Sequence, residues 1–163
     1  MAKNKEEKTN VMRVLEQKKI AYTAHTYPHE EGMAVDGVTV AKSMGFDPAI
    51  VFKTLVARGA SKQYYVFDVP VAENLDLKKA AKAVGEKSIE MIHQKELLPL
   101  TGYVHGGCSP VGMKQLFPTV FHETAENLET MIVSAGKIGY QVELAPRDLA
   151  ALVRAIFADI IVE

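Results

Sequence analysis

Lys53 stands in the middle of an apolar, strand-forming run, Val51-Phe52-Lys53-Thr54-Leu55-Val56. An ammonium is costly to desolvate. A lysine there either faces water as a charge that discourages edge pairing, or lines a pocket whose ligand needs a cation. Alternation along a strand puts Lys53 on one face with Val51 and Leu55. The spacing alone leaves both readings open. A second stretch with chemical potential is Gly106-Gly107-Cys108-Ser109-Pro110-Val111-Gly112, entered through Tyr103-Val104-His105. Adjacent glycines permit unusual backbone angles and let a ligand approach the main chain. Successive amides in such a segment can converge on a carbonyl oxygen or a phosphate, as an oxyanion hole requires. An ordinary turn explains the glycines equally well. The Gly-Lys-Ser/Thr of a phosphate-binding Walker loop is missing. A further glycine-rich turn, Ser134-Ala135-Gly136-Lys137-Ile138-Gly139, reads as a hairpin connection or as a second wall of the same pocket.

Other reactive side chains have strong structural explanations. Cys108 lies three residues from His105, but a thiol nucleophile needs its base within hydrogen-bond reach in space, and most lone cysteines are small packing residues. His25, His29, His93, His105 and His122 are scattered without cysteine partners, so the spacing gives no zinc site. Tyr27 ends a strand before Pro28 and reads as an aromatic with a buried body and a wet hydroxyl. Asp148 falls in the first turn of a helix, where a carboxylate is favoured by the helix dipole in any case.

These residues must be positioned by a chain of 163 residues, long enough for one domain with a substantial core. Residues 1–9 read as a flexible N-terminal arm. Nineteen basic and twenty acidic side chains nearly cancel, so no global field marks a nucleic-acid or membrane binder. Residues 1–20 carry six basic and three acidic side chains, and residues 120–163 carry three and seven. A frayed, solvated terminus accounts for the first of these biases. One cysteine excludes an internal disulfide and suits a reducing, cytoplasmic setting. The charged start has no apolar signal region behind it, and no apolar run reaches membrane-spanning length.

The patterning mixes helices and short strands without regular alternation, which predicts an α+β domain with a mostly antiparallel sheet. Asn10 is placed to cap a helix reaching Lys18, Asp36 a short helix ended by Gly45, and Asp76 a helix over 77–84 closed by Gly85. Strands are predicted over 21–27, 51–57, 64–69, 88–92, 103–105, 119–121, 131–134 and 141–144. Residues 51–57 and 64–69 form a hairpin. Gln94 to Leu98 reads as a helical turn. Pro146 suits the first position of a final helix over about 147–158.

Taken in order, His25-Thr26-Tyr27-Pro28-His29, Val51-Phe52-Lys53-Thr54-Leu55, Leu77-Lys78-Lys79-Ala80-Ala81 and Thr101-Gly102-Tyr103 leading to Gly106-Gly107-Cys108-Ser109-Pro110-Val111-Gly112 resemble a known family. Val133-Ser134-Ala135-Gly136-Lys137 and Leu144-Ala145-Pro146-Arg147-Asp148-Leu149 complete the set. The chain is similar, from about residue 10 to residue 160, to the YbaK/EbsC family of Cys-tRNA(Pro) deacylases, relatives of the editing domain inserted in bacterial prolyl-tRNA synthetases. Each element is weak singly and specific in combination. Two departures are visible: Ala135 stands where the loop often carries a second glycine, and Cys108 fills the variable position of Gly-Gly-x-Ser-Pro.

The resemblance implies a mixed α+β domain with a barrel-like, largely antiparallel sheet and flanking helices, working without a cofactor on the aminoacyl end of tRNA. It implies clearance of cysteine from proline tRNA, with the substrate thiol attacking its own ester, so that the protein contributes positioning and electrostatics. Carried over, Lys53 would hold the terminal adenosine or its phosphate, and Tyr27 would position the aminoacyl group. Amides near Gly106 and Gly107 would face the oxyanion, with Ser109 shaping their loop. Ser134 and Gly136 would form the second wall, and Asp148 would orient substrate or anchor Lys53. Prolyl-tRNA synthetase is the expected partner. Two alternatives stay open: a deacylase for another small aminoacyl-tRNA such as Ala-tRNA(Pro), and a non-catalytic module that captures nucleotide or tRNA ends.

Overall fold

The computed structural model describes residues 8–30 and 33–163; residues 1–7 of the expected arm lie outside them. Local signals start and stop the helices. Thr9, one residue before the expected cap, accepts the Met12 N–H at 3.3 Å and opens α1, Asn10–Gln17. Asp36 accepts the Thr39 N–H and opens α2, Gly37–Ser43. Asp76 accepts the N–H groups of Lys78 and Lys79 at the start of α3, Leu77–Val84, which ends at Gly85 in the left-handed conformation, φ 76°. Each cap satisfies amides that a helix start would otherwise leave bare. α4, Gln94–Thr101, runs longer than the single expected turn, and Pro146 occupies the opening turn of α5, Pro146–Val153.

Among the described residues eight strands form two sheets. β1 (Thr23–Thr26), β7 (Tyr140–Leu144) and β6 (Met131–Ser134) make a three-stranded antiparallel sheet in the order β1-β7-β6. β2 (Phe52–Gly59), β3 (Tyr64–Pro70), β4 (Ile89–Met91), β5 (Thr119–His122) and β8 (Ala155–Ala158) make a mixed five-stranded sheet in the order β4-β2-β3-β5-β8. Its first two pairings are antiparallel and its last two parallel. The sheets meet at one parallel bridge, Val51 to Ile132, both buried. The domain is therefore α+β with mostly antiparallel pairing, and among the described residues its sheets do not close into a barrel. Phe52, Val56, Val66, Phe121, Met131, Val142, Leu144 and Leu149 fill the main core between the sheets, α1 and α5. Phe67, Val69, Ala80 and Ala81 pack a second core between β3 and α3.

Two expectations are corrected. The last helix stops at Val153, because Arg154 turns left-handed, φ 59°, and Ala155-Ile156-Phe157-Ala158 pairs in parallel with β5. A short apolar run fits helix and strand equally in sequence, and here the open edge of β5 decides. Residues 103–105 form no strand. The Tyr103 phenol instead donates to the Val111 carbonyl and ties the glycine-rich loop closed behind it.

Candidate active site

A cavity of about 520 Å³ opens along the seam between the two sheets, a size suited to a small ligand or to the end of a larger one. Residues 51–55 of β2 and its approach form one wall. Asp36, Gly37 and Val40 of α2 stand beside it, and Tyr27 comes from the exit of β1. Ser134 of β6 with Tyr140 and Gln141 of β7 line the cavity from the other sheet. His105, Gly106 and Cys108 close the glycine-rich side. Residues far apart in the chain are brought together by the pairing of β1, β7 and β6, which sets His25, Gln141 and Ser134 side by side.

Lys53 is half-buried in this wall and forms no ion pair among the described residues. Burial lowers its pKa from the ordinary 10.5, and the charges of Asp36 and Glu73 partly offset that. A cation held without a close carboxylate is poised for an anionic or strongly polar ligand. Tyr27 is 8% exposed, with its amide donating to the Gly139 carbonyl at 2.9 Å.

The glycines divide by role. Gly106 has φ 88°, and a Cβ there would meet the Ala34 Cβ at 2.7 Å, so only glycine fits between that residue and the cavity. Its N–H has no hydrogen-bond partner among the described residues, which leaves it available to a ligand. Gly107 is different: its N–H donates to the Val104 carbonyl at 3.0 Å, so that amide is already used. Its missing side chain instead lets the loop lie against Lys137 and Ile138. Ser109 is fully buried, and its hydroxyl accepts the Val111 N–H at 3.2 Å, shaping the loop from behind. The Ser134 hydroxyl accepts the Gly136 N–H at 3.1 Å. Gly136 faces the core, where a Cβ would sit 2.9 Å from the Tyr103 ring.

Asp148 stands apart. It is exposed in the first turn of α5 and does not line the cavity. The carboxylates that act on Lys53 are Asp36 and Glu73. In the first turn of α5 its carboxylate is favoured by the helix dipole. Cys108 lines the cavity but is 8% exposed, and burial with the nearby Asp68 charge pushes its thiol up to about 12, so it stays protonated. Thiolate is the nucleophilic form, which argues against a cysteine mechanism. Among the described residues no three of His, Cys, Asp and Glu gather closely enough to hold a metal ion, and no helix is long and apolar enough to cross a membrane.

Gln141 escaped the sequence reading. It is 7% exposed, lines the cavity, and its side-chain Oε1 has no partner among the described residues. A buried acceptor left without a donor costs about 1–3 kcal/mol. In sequence, Gln141 reads only as one polar residue in an alternating strand.

Comparison with known proteins agrees with this geometry. Residues 29–152 match the family model for the aminoacyl-tRNA editing domain. An Enterococcus faecalis protein named as a Cys-tRNA(Pro)/Cys-tRNA(Cys) deacylase, EbsC, is 45% identical over 161 residues, covering 98% of each chain. A solved structure described as a trans-editing enzyme for prolyl-tRNA synthetase superposes with TM-score 0.79 at 25% identity, covering 94% of this chain and 95% of that one. The hypothetical protein APE2540, at 19% identity and TM-score 0.82 over 93% and 99% of the chains, shares the fold. The chain belongs to the family of aminoacyl-tRNA editing domains.

Proposed function

We propose that this protein deacylates Cys-tRNA(Pro) in trans, with the cysteinyl thiol as the nucleophile. The observation that carries the reading is the half-buried Lys53, without an ion pair among the described residues, in the wall of a cavity that Tyr27, Gly106 and Gln141 also line. A cation and a side-chain amide in the lining of one cavity suit the two ends of an aminoacylated ribose. Lys53 offsets charge on the terminal phosphate or the departing ribose oxygen. Gln141 accepts a hydrogen bond from the α-ammonium, and the Gly106 amide donates to the ester carbonyl as it becomes an oxyanion. The thiol sulfur bonds to the ester carbon, the bond to the ribose oxygen breaks, and a cyclic thioester and uncharged tRNA leave. The buried, protonated state of Cys108 supports a nucleophile supplied by the substrate. The name borne by the Enterococcus relative favours cysteine over alanine.

Release of free tRNA from Cys-, Ala- and Ser-tRNA(Pro) and from Cys-tRNA(Cys) tests this directly. The cysteinyl substrates should be cleared at least about 100-fold faster than Ser-tRNA(Pro), because a hydroxyl surrenders its proton far less readily than a thiol with a pKa of about 8.5. Equal rates would point to water as the nucleophile, and no release from any substrate would leave only a binding module. The near-balance of charge, nineteen basic against twenty acidic side chains, provides few contacts for a tRNA body. Prolyl-tRNA synthetase is accordingly the partner we infer to hold the tRNA while this domain samples its 3′ end. Co-purification of the two in the presence of tRNA is the expected result, and no association with or without tRNA would remove that inference.

A further inference from the structure

β3 is an apolar strand with a carboxylate at its centre, Tyr64-Tyr65-Val66-Phe67-Asp68-Val69-Pro70. Asp68 is 0% exposed. Its register partner on β2 is Thr54, whose hydroxyl donates to Asp68 Oδ1 at 2.5 Å, while Oδ2 has no hydrogen-bond partner among the described residues. Thr54 lines the cavity, and so does Cys108, whose thiol lies within the influence of the Asp68 charge. Phe121, the register neighbour of Asp68 on β5, carries no charge. A carboxyl supported by one hydrogen bond weakens the fold that buries it, so packing gives no reason for it. Its place one hydroxyl away from the cavity does.

We propose that Asp68 receives the proton of the attacking thiol through the Thr54 hydroxyl, forming a two-residue relay from the cavity wall to the buried carboxylate. The S–H bond breaks as its proton passes to Thr54 Oγ1, and the proton already on Oγ1 passes to Asp68 Oδ1. The sulfur electron pair forms the bond to the ester carbon, and the ester C–O pair leaves with the ribose oxygen. That oxygen is protonated when the relay runs backwards, so the protein returns to its starting state and no other reactant is needed. Asp68 acts through Thr54 and is a positioning residue in this scheme. Burial pushes its carboxyl from 3.8 up to about 7, which lets it gain and lose a proton near neutrality. His105 also lines the cavity, but it is exposed and no hydrogen bond orients its ring among the described residues.

The proposal rests on the thiol-driven deacylase reading, and the two fail separately: inactive wild-type protein fails that reading, whereas active wild type with an unaffected Asp68 variant fails only this one. Asp68→Asn keeps the shape and an acceptor for Thr54 but cannot take a proton. On Cys-tRNA(Pro) it should lower kcat about 100-fold or more, leave KM unchanged, and abolish a rise of kcat with pH through about 7. Thr54→Val should lose as much, Thr54→Ser should keep most activity, and the Asp68→Asn/Thr54→Val double variant should be no worse than Thr54→Val. Wild-type kcat and an unchanged pH profile in Asp68→Asn would overturn the relay, as would losses that multiply in the double variant. Should a thermal melt show Asp68→Asn unfolded, the Thr54 pair decides: Thr54→Val as active as Thr54→Ser overturns it.

Discussion

Lys53→Ala is expected to slow deacylation of Cys-tRNA(Pro) by about 100- to 1,000-fold, the usual cost of removing one preorganised electrostatic group from a reaction centre. The same variant should melt at the wild-type temperature or slightly above it. Lys53 gives the folded state a desolvated ammonium with no close counter-ion among the described residues, and Asp36 and Glu73 offset only part of that cost. Losing the charge therefore removes a penalty along with the group proposed to act on the substrate. Single-turnover release of tRNA and a thermal melt on the same preparation give both readings. Lys53→Arg should recover little, since a planar guanidinium is larger and presents its donors differently. Turnover close to wild type in Lys53→Ala would place the lysine outside the chemistry, as a solvated charge on β2.

Gln141→Leu is the second large effect, and it should appear in a different constant. Its Oε1 has no partner among the described residues, and a hydrogen bond to a charged donor is worth about 1.5–3 kcal/mol, so kcat/KM should fall about 10- to 100-fold, mainly through KM. N-acetylated Cys-tRNA(Pro), which lacks the α-ammonium, identifies the contact. Wild-type protein should handle it poorly, and Gln141→Leu should handle it no worse. An equal loss on both substrates would show that the amide touches something other than the amino group. Stability should hold or rise, because the change removes a buried acceptor without a partner and leaves an apolar side chain of similar length.

Features set by neighbours in the chain were readable without coordinates. Asp36, Asp76, Gly85 and Pro146 sit where caps, a left-handed stop and a first-turn proline belong, because each acts over three or four residues. Lys53 was conspicuous as a charge in an apolar run, and motif order supplied its pocket. Asp68 carries the same signal, a charge between Phe67 and Val69, yet no motif drew attention to it. Gln141 gave no signal, since its burial arises from β1 and β6 packing on either side of it. Asp148 shows the opposite case: a motif match drew attention to it, and the start of α5 leaves it exposed and away from the cavity lining. β8 was hidden because the edge of β5 that it completes lies more than thirty residues earlier in the chain.

The single bridge from Val51 to Ile132 has a further consequence, for how such a domain diversifies. The cation belongs to one sheet, and Ser134 and Gln141 belong to the other. Among the described residues no continuous ladder of hydrogen bonds couples them. Under the proposed assignment, substitutions on β6 and β7 can therefore alter the wall around the aminoacyl group without disturbing the register that holds Lys53 on β2. The seam lets the residues on its two sides vary as separate sets.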